Sequence, residues 1–235
     1  MKYTDNERRL GAILGFINNA QTLADVGTDH AYLPIRALRE GRAVRAVASD
    51  INPLPLEKAK RNIAKAGLGD RIVTVLADGL SGLGGFSPDV IVIAGMGGEL
   101  ITSIMENGAR SFRGATFILQ PNTHEHDLRR FLYSNGFDVR DERVVEDKEK
   151  FYQIIVAAYD GKTREASLPE LILGRVNIEK NGFPDGYLEK VRARFSRRVS
   201  GLRRAGKESP EDCEVLSFVE TLIKEGKNND RKTTV

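Results

Sequence analysis

The 235-residue sequence holds one cysteine, three histidines and no tryptophan, and each scarcity removes a class of protein. A lone thiol, Cys213, cannot close an internal disulfide and leaves no cysteine cluster for structural zinc, and with three histidines no metal centre is expected. A reducing, cytoplasmic setting is expected. Long apolar runs are also missing, and nothing approaches the roughly 20 residues that span a bilayer. The start, Met1-Lys2-Tyr3-Thr4-Asp5-Asn6-Glu7, carries charge where a signal peptide needs an apolar stretch. A soluble protein with no membrane partner is expected. Net charge is small as well: 36 Lys+Arg against 33 Asp+Glu leave +3, which by itself names no partner.

What is present suits a folded, globular chain. With 40% apolar and 29% charged residues the chain can bury a core and is neither fibrous nor disordered. Charge becomes informative once divided. Residues 162–235 hold 16 basic and 12 acidic side chains, whereas residues 1–161 hold 20 and 21. From Lys190 to Lys207 there are eight basic side chains, Arg197, Arg198, Arg203 and Arg204 among them, and no acid. Such a block is either a solvated face or the contact for a polyanion.

The first part alternates short β-rich runs with helical patterns, as a parallel sheet with crossover helices requires. Leu10, Ile13, Leu14 and Ile17 predict an opening helix. Strands are expected at Thr22–Val26, Val44–Ser49, Ile72–Leu76, Val90–Ala94 and Thr116–Leu119, with helices at Pro55–Lys65 and at His126–Asn135, the latter stopped by Asn135-Gly136. Phe137–Val145 and Phe151–Tyr159, parted by the charged Glu146–Lys150, predict an antiparallel hairpin at the sheet edge. The division is therefore a domain over 1–161 and a helical, basic domain over 162–235. There Ser167 and Glu170 predict a capping box, Asp185 a cap and Ser209-Pro210 a helix start. Leu188, Val191, Phe195, Val199 and Leu202 form one apolar stripe, and Val215, Leu216, Val219, Leu222 and Ile223 another. Two such helices fold back into a coiled-coil-like hairpin, with fraying expected after Gly226.

In an open parallel sheet ligands bind beyond the carboxyl ends of the strands. The first such loop, Asp25-Val26-Gly27-Thr28-Asp29-His30, has one glycine where a dinucleotide fingerprint needs three, and carboxylates where a pyrophosphate would be repelled. It suits a ligand with a cationic centre and an ammonium group, such as S-adenosylmethionine, with Gly27 allowing close approach and Asp25 and Asp29 meeting positive charge. Asp50 ends the next strand where an acid accepts ribose hydroxyls, Ile51 can lie against the purine, and Asp78 in Asp78-Gly79 can accept from the adenine amino group. Gly95-Met96-Gly97-Gly98 and Gln120-Pro121-Asn122 follow the last two parallel strands; the first allows close backbone approach and the second can read a nucleobase edge. Singly, an Asp after a strand is often a cap and a glycine cluster often a tight turn. Five coincident loops favour the ligand. His30 is either a packed orienting residue or an active one; His124 and His126 are expected as surface or capping residues.

These strings, Leu23-Ala24-Asp25-Val26-Gly27-Thr28-Asp29-His30-Ala31-Tyr32-Leu33-Pro34, Ser49-Asp50-Ile51-Asn52, Ala77-Asp78-Gly79-Leu80, Ala94-Gly95-Met96-Gly97-Gly98 and Leu119-Gln120-Pro121-Asn122, resemble the bacterial tRNA (adenine-22, N1)-methyltransferases of the TrmK type. The resemblance spans about residues 5–226. It implies an α/β Rossmann-like class I methyltransferase with a mostly parallel seven-stranded sheet, an S-adenosylmethionine cofactor held by Asp25, Gly27, Thr28, His30, Asp50, Ile51, Asn52, Asp78, Gly79, Gly95 and Met96, and tRNA as substrate.

The residues narrow the chemistry independently. Methylation at C5 of a pyrimidine needs a cysteine nucleophile, and the one thiol sits in the striped last helix. Exocyclic amines typically call for an Asn/Asp-Pro-Pro-aromatic loop, which is absent. A ring nitrogen needs only aiming. Asp29 is the candidate to stabilise developing positive charge, or else it holds the ammonium group or orients His30; Asn122 or Gln120, beside Pro121, would grip the base. Arg197, Arg198, Arg203 and Arg204 are expected on the RNA backbone. Methylation of another RNA position or a small molecule, and cofactor-sensing RNA binding without catalysis, are the competing functions.

Overall fold

A computed structural model describes residues 7–180 and 182–232. The chain divides into two compact units, Met1–Glu165 and Ala166–Val235. The first runs α1 (Glu7–Gly15), β1 (Ala20–Val26), α2 (Tyr32–Arg39), β2 (Ala43–Asp50), α3 (Pro53–Ala66), β3 (Ile72–Leu76), β4 (Val90–Met96), α4 (Gly98–Gly108), β5 (Thr116–Pro121), α5 (Glu125–Ser134), β6 (Phe137–Asp147) and β7 (Lys150–Tyr159). The seven strands lie in one sheet in the order β3-β2-β1-β4-β5-β7-β6. β1 to β5 are parallel, and β7 is antiparallel to both β5 and β6. This is the Rossmann-like methyltransferase arrangement expected from the alternating pattern.

Strands buried on both faces read as continuous apolar runs, and β5, Thr116–Pro121, is buried from Phe117 onward. One core gathers Leu14, Leu33, Ile35, Leu38, Ala59 and Ile63 against Leu23, Val92 and Ile118, so α1, α2 and α3 share a face of the sheet. Ile101, Met105, Leu128 and Leu132 of α4 and α5 are buried outside that cluster, as right-handed crossovers on the other face demand. The chain winds from β1 outward to β3 and then returns to β4 on the other flank of β1. The reversal opens a crevice at the carboxyl ends of β1 and β4. Register keeps those ends level: Val26 pairs with Ser49 and with Ile93, Asp50 with Leu76, and Ala94 with Gln120.

Three local expectations are corrected. The opening helix stops at Gly15, and Ile17 is buried in a turn beyond it. The hairpin strands run to Asp147 and from Lys150, joined by Lys148 and Glu149 alone. Both adopt positive φ, 50° and 61°, the backbone that a two-residue turn needs to match strand twist. Asp185 does not cap the following helix; Gly186 holds that position at φ 77°, where glycine is the unstrained residue. A buried Arg129 was also illegible: its Nε donates to Glu142 Oε1 at 2.6 Å and Nη2 to Gln153 Oε1 at 2.6 Å, bolting α5 to β6 and β7.

The second unit contains α6 (Leu168–Leu173), α7 (Arg175–Lys180), α8 (Tyr187–Arg204) and α9 (Pro210–Lys232). Ser167 and Glu170 form the capping box. α8 and α9 pair through buried Val191, Phe195 and Val199 against Val215 and Val219. α9 continues to Lys232, past the fraying expected at Gly226. Residues 1–6, on which the signal-peptide reading rests, and 233–235 lie outside the described residues. Among the described residues no helix is long and apolar enough to cross a membrane.

Candidate active site

The β1–α2 loop leaves the sheet in a left-handed turn at Gly27, φ 77°, whose N–H and that of Thr28 both donate to the Ser49 carbonyl at 2.8 Å. A Cβ on Gly27 would lie 2.0 Å from the Met96 methyl carbon, so glycine admits both the turn and the β4 side chain. Thr28 is buried: its hydroxyl accepts from the Ala31 N–H at 3.2 Å and donates to Asp25. In the ligand-free protein it braces the loop. Asp25 is itself buried with no cation beside it among the described residues. Desolvation pushes its carboxyl from 3.8 to about 6, the Thr28 bond opposes this and the Asp50 charge adds to it.

Asp29 is 68% exposed, with Oδ2 3.1 Å from His30 Nε2 and Oδ1 3.9 Å from Lys58 Nζ. The His30 ring stacks on Tyr32 at 5.1 Å and its carbonyl accepts from Asn62 Nδ2 at 3.0 Å. Held on three sides, His30 is placed to orient Asp29. Nothing in the sequence marks Tyr32, Lys58 or Asn62 for this role; the last two are ordinary residues of an amphipathic helix until folding sets α3 beside this loop.

At β2, the Asn52 N–H donates to Asp50 Oδ1 at 2.7 Å, and the other oxygen has no protein partner among the described residues. Asn52 begins α3 without a side-chain cap bond. Ile51 and Leu76, at the ends of neighbouring strands, are 59% and 63% exposed and form bare apolar walls. Asp78 and Gly79 border a cleft of about 540 Å³ that continues along α4 past Leu100, Ile104 and Asn107. Gly79 takes φ 55°, and a Cβ there would meet Ile104 at 3.2 Å.

Gly95, φ 80°, is the bulge between Ala94 and Met96 on β4. Its carbonyl accepts from Asn122 Nδ2 at 2.7 Å, and the Met96 carbonyl accepts from the Asn122 N–H at 2.7 Å. Gly98 has a packing role: a Cβ would lie 2.5 Å from the His124 carbonyl oxygen, so α4 seats directly on the β5–α5 connection. Gln120 does not reach the crevice. It is wholly buried, and its Nε2 donates to the Pro121 carbonyl at 2.7 Å and to Asn122 Oδ1 at 3.1 Å. Pro121 is buried as well. Gln120 therefore positions Asn122, and Asn122 alone of the three is exposed. His124 and His126 are surface residues that share Asp127, and neither side chain caps α5. No group of residues positioned to hold a metal occurs among the described residues.

In the helical unit, Arg203 and Arg204 are exposed in the last turn of α8. Arg197 Nε donates to the Ala193 carbonyl at 3.2 Å. Arg198 differs: Nε and Nη2 each lie 3.0 Å from the buried Asp212 carboxylate. That fork pins α8 to α9, while the Arg198 side chain stays 61% exposed.

Among the described residues the strand ends thus present a buried carboxylate without a cation at a strain-free glycine turn, a second carboxylate with an unbonded oxygen, two bare apolar side chains, and Asp78, which borders a separate cleft along α4. A ligand carrying a cation at one end and an adenosine at the other fits that donor set. Residues 6–155 match the methyltransferase domain family. The tRNA (adenine(22)-N(1))-methyltransferase of Bacillus subtilis (strain 168) is 38% identical over 169 residues, covering 68% of this chain and 71% of the relative. The crystal structure of the B. subtilis M1A22 tRNA methyltransferase TrmK superposes with a TM-score of 0.76 at 30% identity, over 92% of this chain and 96% of that one. Streptococcus pneumoniae Sp1610 in complex with S-adenosyl-L-methionine gives 0.79 at 29% identity, over 91% and 97%.

Proposed function

This chain belongs to the tRNA (adenine(22)-N(1))-methyltransferase family, and on that premise we propose that it methylates N1 of the adenine at position 22 of tRNA from the crevice between β1 and β4. It is an S-adenosylmethionine-dependent enzyme. When bound, S-adenosylmethionine supplies an electrophilic methyl group on a cationic sulfur. Asp25, at the Gly27 turn, holds the cationic amino-acid end; Asp50 takes the ribose hydroxyls on its second oxygen; Ile51 and Leu76 flank the purine and Asp78 its amino group. The observation that carries this reading is Asp25: a buried carboxylate with no cation of its own is costly unless a ligand brings one.

N1 of adenine already presents an in-plane lone pair, so catalysis is mainly aiming. Asn122 keeps one N–H and one lone pair after its bonds to Gly95 and Gln120, enough to hold the base edge. Asp29, held between His30 and Lys58, is in this reading the carboxylate that stabilises the positive charge growing on the methylated ring. Because N1 lies on the Watson–Crick edge, the adenine must be unpaired when it enters. Arg197, Arg203 and Arg204 of α8 bind the tRNA backbone in this reading, the 1–161 and 162–235 segments then serving as catalytic and RNA-gripping domains of a cytoplasmic enzyme.

The test is incubation with unmodified tRNA and labelled cofactor, followed by mapping of the modified base. Label at N1 of adenine 22 is the expected result; label elsewhere, or none, overturns the reading.

A further inference from the structure

We propose that the outer face of α3, through Arg61 and Lys65 in line with Lys58, binds phosphates of the RNA strand that flanks the methylated base. The proposal rests on the tRNA reading above. At 3.6 residues per turn, positions 58, 61 and 65 fall within about 60° of one another. Leu56, Ala59 and Ile63, the buried residues of α3, lie on the opposite side, so the basic row points to solvent. All three cations are exposed, and Glu57 is the one acid in the helix.

Two independent features set this row apart from a solvated face. Arg61 and Lys65 have no carboxylate partner among the described residues, whereas nearby surface arginines are already committed: Arg36 and Arg42 both bind Glu40, and Arg71 binds the Val44 carbonyl. The row also starts at the reaction site. Lys58 Nζ is 3.9 Å from Asp29, and Asn62, on the flank of the same row, holds the His30 carbonyl at 3.0 Å. From Lys58 the row runs about 10 Å along the helix, room for two or three phosphates of one strand. A base inserted beside Asp29 carries its own phosphates onto this face, so the row would fix the approach of the strand and not merely its affinity.

Full-length Arg61→Gln/Lys65→Gln, with Lys58 intact because it touches Asp29, tests the assignment. The expected result is a rise in KM for tRNA of about tenfold at moderate salt, with a plot of log affinity against log salt flatter by about 1.5. kcat at saturating tRNA and cofactor affinity should stay at the wild-type values. Lys60→Gln, which removes a cation lying off the row, should leave the slope unchanged. Equal slopes for wild type and double variant overturn the proposal, as does a Lys60→Gln effect as large, per charge removed, as that of the double variant, which would reduce the row to net charge. If wild type leaves tRNA unmethylated, the functional reading fails by itself, and cofactor-free tRNA binding by the same variants decides the α3 assignment.

Discussion

Asn122 Nδ2 and the Gly95 carbonyl, 2.7 Å apart, tie the exposed end of β5 to the bulge of β4. The same amide accepts from buried Gln120 at 3.1 Å, so its orientation is set from below. Asn122→Ala should lower kcat about a hundredfold, the scale of losing one well-placed donor, with little change in cofactor affinity. Asn122→Asp should act in the same direction, because it sets a carboxylate against the Gly95 carbonyl. Steady-state kinetics with calorimetric cofactor binding checks both; an unaltered kcat removes Asn122 from the reaction.

Asp29 is separable from cofactor binding by the same pair of measurements. Its loss in Asp29→Ala is expected to depress methyl transfer about a hundredfold at saturating cofactor. A fall in cofactor affinity with normal turnover would instead assign the residue to the ammonium group. His30→Ala should give a partial version of the Asp29→Ala defect, since Asp29 Oδ2 would lose its 3.1 Å neighbour.

The Asp25 carboxyl, raised from 3.8 to about 6 by burial, imposes a pH dependence of fixed sign. In the ligand-free protein the folded state favours the protonated form, so stability declines as pH rises from about 4 to about 6 and then levels. A cationic ligand favours the carboxylate. Cofactor affinity should therefore climb with pH, by up to about tenfold per unit well below 6, and flatten above it. Asp25→Asn should bind weakly without that step and should melt higher than wild type near pH 7. Matching pH profiles for the two proteins would refute the assignment.

On α8, the arginines should divide into two classes. Arg197→Gln/Arg203→Gln/Arg204→Gln is expected to weaken tRNA binding and flatten its salt dependence while leaving the melting temperature near that of wild type. Arg198→Ala is expected to destabilise the chain by about 1–3 kcal/mol, because it strands the buried Asp212 carboxylate. A stable Arg198→Ala protein with a tRNA defect equal to the triple variant would place Arg198 among the RNA contacts.

Much of the molecule was legible residue by residue. Local chemistry wrote the parallel strands as apolar runs closed by Asp, Gly or Gln, and the Ser167–Glu170 capping box as a spacing. Those signals survive folding because each depends on neighbours within a few residues. The roles of side chains within the loops did not follow. Thr28 and Gln120 look as polar in the sequence as Asn122, yet both are buried as braces. Arg198 is indistinguishable in sequence from Arg197, and its fork with Asp212, 14 residues away, exists because α8 and α9 pair.

What the sequence by itself determined was the class of chemistry. A single thiol in the last helix, one loop glycine in place of three and acids at successive strand ends exclude a cysteine adduct and a pyrophosphate, and invite a cationic adenosine. Only the tertiary structure decided which polar groups remain free to act. Lys58 meets Asp29 because α3 lies beside the β1–α2 loop, and Gly98 is glycine because α4 seats on the His124 carbonyl. The physical reason is common to both: hydrogen-bond capacity belongs to the residue, but its occupation depends on which partners the fold brings within about 3 Å.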